Sequence, residues 1–130
     1  MFNNAFGEIL FDTGWKTKTE IVLWENTYSI KVKARSYYEE DGITAEQESA
    51  YMEFKTLKAE KQRIIESMLS QFYKNERNAD QLRKQLTPTM LVIERDGAYA
   101  LLFDDEDDLD NGLAAVLSPE EKVLTQDEYL

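Results

Sequence analysis

At 130 residues, with 42% hydrophobic and 12% aromatic content and only two prolines and five glycines, the chain is long enough for one buried core and too apolar for the disordered class. It carries 26 acidic residues against 15 basic ones, a net charge of −11, and neither histidine nor cysteine. These facts exclude disulfides, thiol chemistry, Ser-His and Cys-His catalysis and histidine-ligated metals. They also make nucleic acid and anionic membrane poor partners, because both are bound through Lys and Arg.

The first residues, MFNNAFGEILFD, lack a basic region followed by a long apolar stretch, and no run approaches membrane-spanning length. The expected object is a cytoplasmic, single domain covering residues 1–130. GEILFD reads as a short strand closed by a turn at Asp12-Thr13-Gly14. KTKTEIVLW is a second strand by its Thr, Ile and Val content, and a polar turn at Glu25-Asn26 leads to YSIKVKAR. In that third strand Tyr28, Ile30, Val32 and Ala34 fall on one face, and Ser29, Lys31, Lys33 and Arg35 on the other, the period of a half-buried antiparallel strand. If the strand continues, Tyr37 and Tyr38 point in opposite directions and one of them is exposed. Trp15 and Trp24 fit either caps on the core of a small sheet or anchors of an interface.

After Glu39-Glu40-Asp41-Gly42 the period becomes helical. Thr44 and Gln47 fit a capping box, in which each side chain satisfies the other's backbone amide. Ala50, Tyr51, Phe54, Leu57, Ile64, Ile65, Met68, Leu69 and Phe72 then recur at steps of three and four, predicting one long helix from Ala45 to about Tyr73. KNERNADQLRKQL is weaker and predicts a second short helix ending before Pro88. Strands return with TMLVIER and AYALLFD around Arg95-Asp96-Gly97-Ala98, where Asp-Gly between apolar runs is a hairpin signal. Asn111-Gly112 reads as a further turn before the strand GLAAVL, and KVLTQDEYL as an edge strand. The fold class is therefore α+β: a mostly antiparallel sheet from the N- and C-terminal strands, with a long central helix packed on it.

The acidity belongs to one end. Between Asp104 and Leu130 lie ten acidic residues and one basic one, Lys122, whereas residues 1–103 carry 16 and 14. Six of the seven positions 104–110 are acidic. An EF-hand frame fails: placing Gly112 at its obligatory glycine puts Leu109 at a ligand position and Ser118 where a bidentate Glu is needed. A looser divalent-cation site from Asp104, Asp105, Asp107, Asp108 and Asp110 stays open, as does a solvated loop without a function. So does a surface for a basic protein, formed by Asp105, Glu106, Asp107, Asp108 and Asp110. No glycine-rich phosphate loop exists, and nothing among 26 carboxylates nominates an acid–base pair, so neither a catalytic residue nor a cofactor is expected; a carboxylate-dependent enzyme is the remaining alternative. Lys31, Lys33 and Arg35 read as a solvated face or as counter-charges to the acidic end.

The order of these pieces resembles a group of small bacterial domains of uncharacterised function found in Firmicutes and Bacteroidetes. The likeness is carried by Phe6-Gly7-Glu8-Ile9-Leu10-Phe11-Asp12 with Trp15, by Tyr37-Tyr38-Glu39-Glu40 before Ile43-Thr44-Ala45-Glu46-Gln47, and by Tyr51 and Phe54. Further on it rests on Asp96-Gly97, Leu102-Phe103-Asp104, Gly112-Leu113-Ala114-Ala115-Val116 and Gln126-Asp127. The resemblance implies no catalytic residues. Some of the similar domains are suspected immunity proteins that neutralise bacterial toxins. Residues and resemblance together lead to the expectation of a non-catalytic binding module whose acidic surface meets a basic protein, with an immunity or antitoxin-like role as its sharpest version.

Overall fold

Alternating residues in the N-terminal strands, continuous apolar runs in the C-terminal ones and a helical period between them build a sheet with its helices inserted midway. The computed structural model describes residues 1–130. Its seven-stranded sheet runs in sequence order through β3 (Leu10–Phe11), β4 (Trp15–Leu23), β5 (Asn26–Ala34), β6 (Leu86–Ile93), β7 (Tyr99–Asp105), β8 (Asp108–Ser118) and β9 (Lys122–Thr125). Two-residue strands β1 (Phe2–Asn3) and β2 (Gly7–Glu8) form a separate small hairpin. All neighbours in the large sheet are antiparallel except β5 and β6. A parallel pair needs a long crossover. Helices α1 (Ala45–Thr56), α2 (Lys58–Phe72) and α3 (Ala79–Gln85) supply it. A short helix, α4 (Gln126–Tyr129), ends the chain.

The expected GEILFD strand is split. Ile9 turns into the core between β2 and β3, which leaves Leu10 on the outside. The long central helix is also interrupted: Leu57, at φ −103° and ψ 26°, leaves helical geometry and divides the segment into α1 and α2. The break lets α1 lie against β6 while α2 turns across β4, β8 and β9. The Thr44–Gln47 capping box is formed, with both backbone-to-side-chain bonds at 3.0 Å. Gln47 does more than cap. Its Nε2 donates to the carbonyls of Arg35 (2.9 Å) and Ile93 (3.2 Å), tying the start of α1 to the ends of the parallel strands.

One sheet face and the helices enclose the core. Ile21, Leu23, Ile30, Val32, Leu91, Ile93, Leu101 and Phe103 meet Phe54, Ile65 and Leu69 there. Both tryptophans are in the core, as caps on the sheet. Trp24 is not in the strand, however. It forms the β4–β5 turn with Glu25, and the two residues take φ of +48° and +68°, the mirror-image turn that matches strand twist. Glu66 Oε2 accepts from the Trp24 amide at 3.1 Å, and the Arg83 guanidinium donates to its carbonyl at 2.9 Å, so side chains of α2 and α3 hold this turn in place. On the opposite sheet face Val92, Leu102 and Ala114 form a small second cluster, with Met90 and Tyr129 packed against it. The β4–β5 part of that face carries Lys16, Lys18, Lys31 and Lys33. No helix of the chain is long and apolar enough to cross a membrane.

Candidate functional site

The acidic segment is the tip of the β7–β8 hairpin. Asp105 pairs with Asp108 across a two-residue turn of Glu106 and Asp107, while the next pair inward is Phe103 with Leu113. Between these pairs β7 has only Asp104, whereas β8 has Leu109, Asp110, Asn111 and Gly112. The longer strand must bow outward, as in a bulge that re-aims side chains near a sheet's rim. Leu109 is thereby left 85% exposed among exposed Glu106, Asp107, Asp108 and Asp110. The expected turn at Asn111-Gly112 is therefore not a chain reversal: both residues lie within β8.

Gly112 is needed where the bowed strand rejoins its partner. A side chain there would collide with the Phe103 carbonyl and with the amide of Gln126. That Gln126 amide reaches over the glycine to donate to the Phe103 oxygen at 2.7 Å. In α4 the Asp127 amide donates to Asn111 Oδ1 at 3.4 Å, which sets another carboxylate beside the hairpin.

Asp105 does not share the exposure of its neighbours. It is 8% exposed, and its Oδ1 accepts from Gln85 Nε2 at 3.0 Å and from the Asp107 amide at 2.9 Å. Gln85 Nε2 also donates to the Tyr73 hydroxyl at 3.0 Å. Burial, and then the Asp105 charge, push the Tyr73 hydroxyl pKa up. The Glu106 amide donates to the Gln85 carbonyl at 2.8 Å, and Arg77 pairs with Asp107 at 3.4 Å while stacking over Tyr73. The turn is thus braced from beneath by the α2–α3 region. Of the five residues expected to meet a partner, Glu106, Asp107, Asp108 and Asp110 form the outer surface, and Asp105 shapes it from within. Leu109, Gln85 and Arg77 were not expected. Leu109 is one apolar letter in an acidic run, and the other two lie about twenty to thirty residues away in sequence.

No three acidic side chains converge in a geometry that could hold a metal ion. Glu106 and Asp107 border a cavity of about 520 Å³ shared with Arg77 and Lys84, while Asp108 and Asp110 are exposed on β8. A second concave, acid-lined site lies elsewhere, between α1 and the β6–β7 loop: a cavity of about 430 Å³ bordered by Glu46, Glu53, Asp96, Tyr99 and Ser118. Glu53 accepts from the buried Tyr99 hydroxyl at 2.8 Å and pairs with Lys61 at 3.3 Å. The Tyr99 hydrogen bond, followed by Lys61, lowers the Glu53 pKa against the opposing effect of burial, while burial and Glu53 raise that of Tyr99. The carboxyl at this cleft is therefore held ionised, the opposite of what a proton-donating acid requires. Lys61, 8% exposed on the buried side of α2, is the counter-ion that makes this arrangement tolerable.

In comparisons with protein-family models, with curated proteins and with solved structures, nothing matches the chain.

Proposed function

We propose that the chain is a non-catalytic binding module that presents the β7–β8 hairpin to a basic protein surface. The observation that carries this reading is Leu109: a large apolar side chain held almost fully in solvent by the bow of β8, on the same hairpin tip as four exposed carboxylates. An apolar anchor flanked by charge is the usual anatomy of an interface, in which the centre supplies affinity and the rim supplies specificity and encounter rate. The bracing by Asp105, Gln85 and Arg77 supports the same reading, because a preformed tip loses less entropy on binding. An immunity or antitoxin-like role is the sharpest form of the proposal: the carboxylates would occupy the places of phosphates on a nuclease or another basic toxin, and the sequence resemblance points the same way.

The test uses three proteins: wild type, a variant with Glu106, Asp107, Asp108 and Asp110 all changed to Lys, and Leu109→Ser. Each is used to capture proteins from native-host lysate, and the captured protein is then titrated against each at low and high salt. The account expects a basic protein whose affinity falls steeply with salt, is abolished by the charge reversal and is weakened about tenfold by Leu109→Ser, the loss of one apolar anchor. Equal binding by wild type and the charge-reversed variant, with both folded, would refute it.

A further inference from the structure

At the end of the sheet opposite the acidic hairpin, the structure assigns a second site: a pocket for a small phosphate ester with a flat aromatic body, the mononucleotide class. The pocket encloses about 220 Å³ at the carboxyl ends of β5 and β6 and is lined by Lys33, Arg35, Arg95, Thr13, Ser36, Tyr37 and Asp41. Three cations converge there in a chain whose net charge is −11. Only Arg35 has a carboxylate partner, Glu94 at 2.7 Å, and neither Lys33 nor Arg95 forms a salt bridge. Counting Asp41 and Glu94, and Asp12 with its partner Lys16 beside Lys33, the pocket retains a positive excess of one charge.

Two of the three cations are aimed by backbone features. Gly14, at φ +134°, lies directly beneath the Lys33 stem, where a Cβ would approach Lys33 Cε to 2.8 Å, so the glycine leaves the channel along which that side chain runs. Arg95 is fixed by carbonyls instead of a carboxylate: it donates to those of Gly42 (2.7 Å), Arg35 (3.3 Å) and Asp41 (3.3 Å). Three of its five N–H groups are thereby used, leaving two donors and the whole charge for a ligand. The Ser36 hydroxyl donates to the Tyr38 carbonyl at 2.7 Å, leaving its lone pairs free.

Like charges also crowd toward the pocket across the strands. Lys16 stands directly opposite Lys33, and Lys18 opposite Lys31, like-charge pairings that destabilise a sheet; Lys16 has a carboxylate partner, Asp12 at 3.7 Å, whereas Lys33 forms no salt bridge. Burial, then Arg35 and Lys16, lower the Lys33 pKa. A phosphate dianion placed between Lys33, Arg35 and Arg95 would relieve this crowding with the fork-like donors that phosphate favours. Tyr37, 95% exposed at the rim, leaves its ring face uncovered for an aromatic group attached to that phosphate.

Calorimetry on the full chain at low salt, with inorganic phosphate, ribose 5-phosphate, adenosine monophosphate and a single-stranded oligonucleotide as separate probes, tests the assignment. Adenosine monophosphate should bind most tightly, and Lys33→Gln should weaken both esters about tenfold, the loss of one charged contact. Tyr37→Ala should reduce the affinity for adenosine monophosphate to that for ribose 5-phosphate and leave the latter unchanged. Thermal melts of both variants confirm that they fold. Failure of every phosphate probe to bind overturns the site, as does binding indifferent to Lys33→Gln. Adenosine monophosphate binding no tighter than inorganic phosphate overturns the mononucleotide assignment. An oligonucleotide that binds through Lys18 and Lys31 while the mononucleotide does not would make the strip a nucleic-acid surface and also overturn the pocket.

Discussion

Asp105 and Asp108 face each other across one turn and have the same chemistry, yet the fold gives them opposite duties. Replacing Asp105 with Ala removes one acceptor from Gln85 Nε2, which keeps the Tyr73 hydroxyl, and one from the part-buried Asp107 amide, a loss of about 1.5–3 kcal/mol, the range for a hydrogen bond to a charged group. Asp108→Ala should change stability by less than about 0.5 kcal/mol, as for ordinary surface substitutions. Urea denaturation of the two variants measures the difference. Nothing in the run of acids distinguishes them, because the partner that selects Asp105 is Gln85, at the end of α3. Glu25 makes a second test: an exposed residue at φ +68° is strained, and Glu25→Gly should stabilise the chain by about 0.5–1 kcal/mol in a thermal melt. Glu53 supplies a pH signature. Its folded-state pKa lies below its ordinary value of 4.5, so its contribution to stability is present above pH 4.5 and is lost as the pH falls through the depressed value. The Tyr99 hydroxyl is the largest cause of that depression. Stability measured between pH 6 and 3 should therefore fall less steeply in Tyr99→Phe than in wild type.

At the level of elements, most strands and helices could be read from periodicity. The alternation of Tyr28, Ile30, Val32 and Ala34, the Thr44–Gln47 cap, the Asp96-Gly97 hairpin and the short α3 are all present, and the edge strand expected over KVLTQDEYL is formed only by Lys122–Thr125, the Thr125 capping box turning Gln126–Tyr129 into α4. What local pattern could not convey was where tertiary contacts override it. Leu57 continues the apolar stripe on paper, but the helix changes direction there. Tyr37 and Tyr38 are both exposed because β5 stops at Ala34. Asn111-Gly112 has turn composition, but its glycine accommodates the Phe103 carbonyl and the Gln126 amide instead of a reversal. Gly112→Ala should accordingly cost about 1–3 kcal/mol, the range for overpacking a close backbone approach. The hairpin tip should also loosen, seen as faster amide exchange at Glu106 and Asp107. Gly42→Ala is the converse case: a Cβ there meets nothing, and its cost is that of the positive φ of +62°, which Gly112 does not share.

Across the whole molecule the charge is polarised. The carboxylates of the β7–β8 hairpin lie at one end, beside Arg77 and Lys84, while Lys33, Arg35 and Arg95 gather at the other, where Asp41, Glu94 and Asp96 also lie. The asymmetry between the two parts of the sequence announced the first pole. The second could not be seen, because Arg95 joins Lys33 and Arg35 only through the parallel pairing of β5 with β6, a contact made across three intervening helices. Lys33 and Arg35 therefore make no ion pair with the acidic hairpin, which lies at the opposite end of the sheet. The most direct test of the central claim is the salt dependence of partner binding by wild type and by the variant in which Glu106, Asp107, Asp108 and Asp110 are Lys. The account predicts binding by wild type that weakens steeply with ionic strength, and none by the folded variant; binding of equal strength and equal salt dependence in both would contradict it.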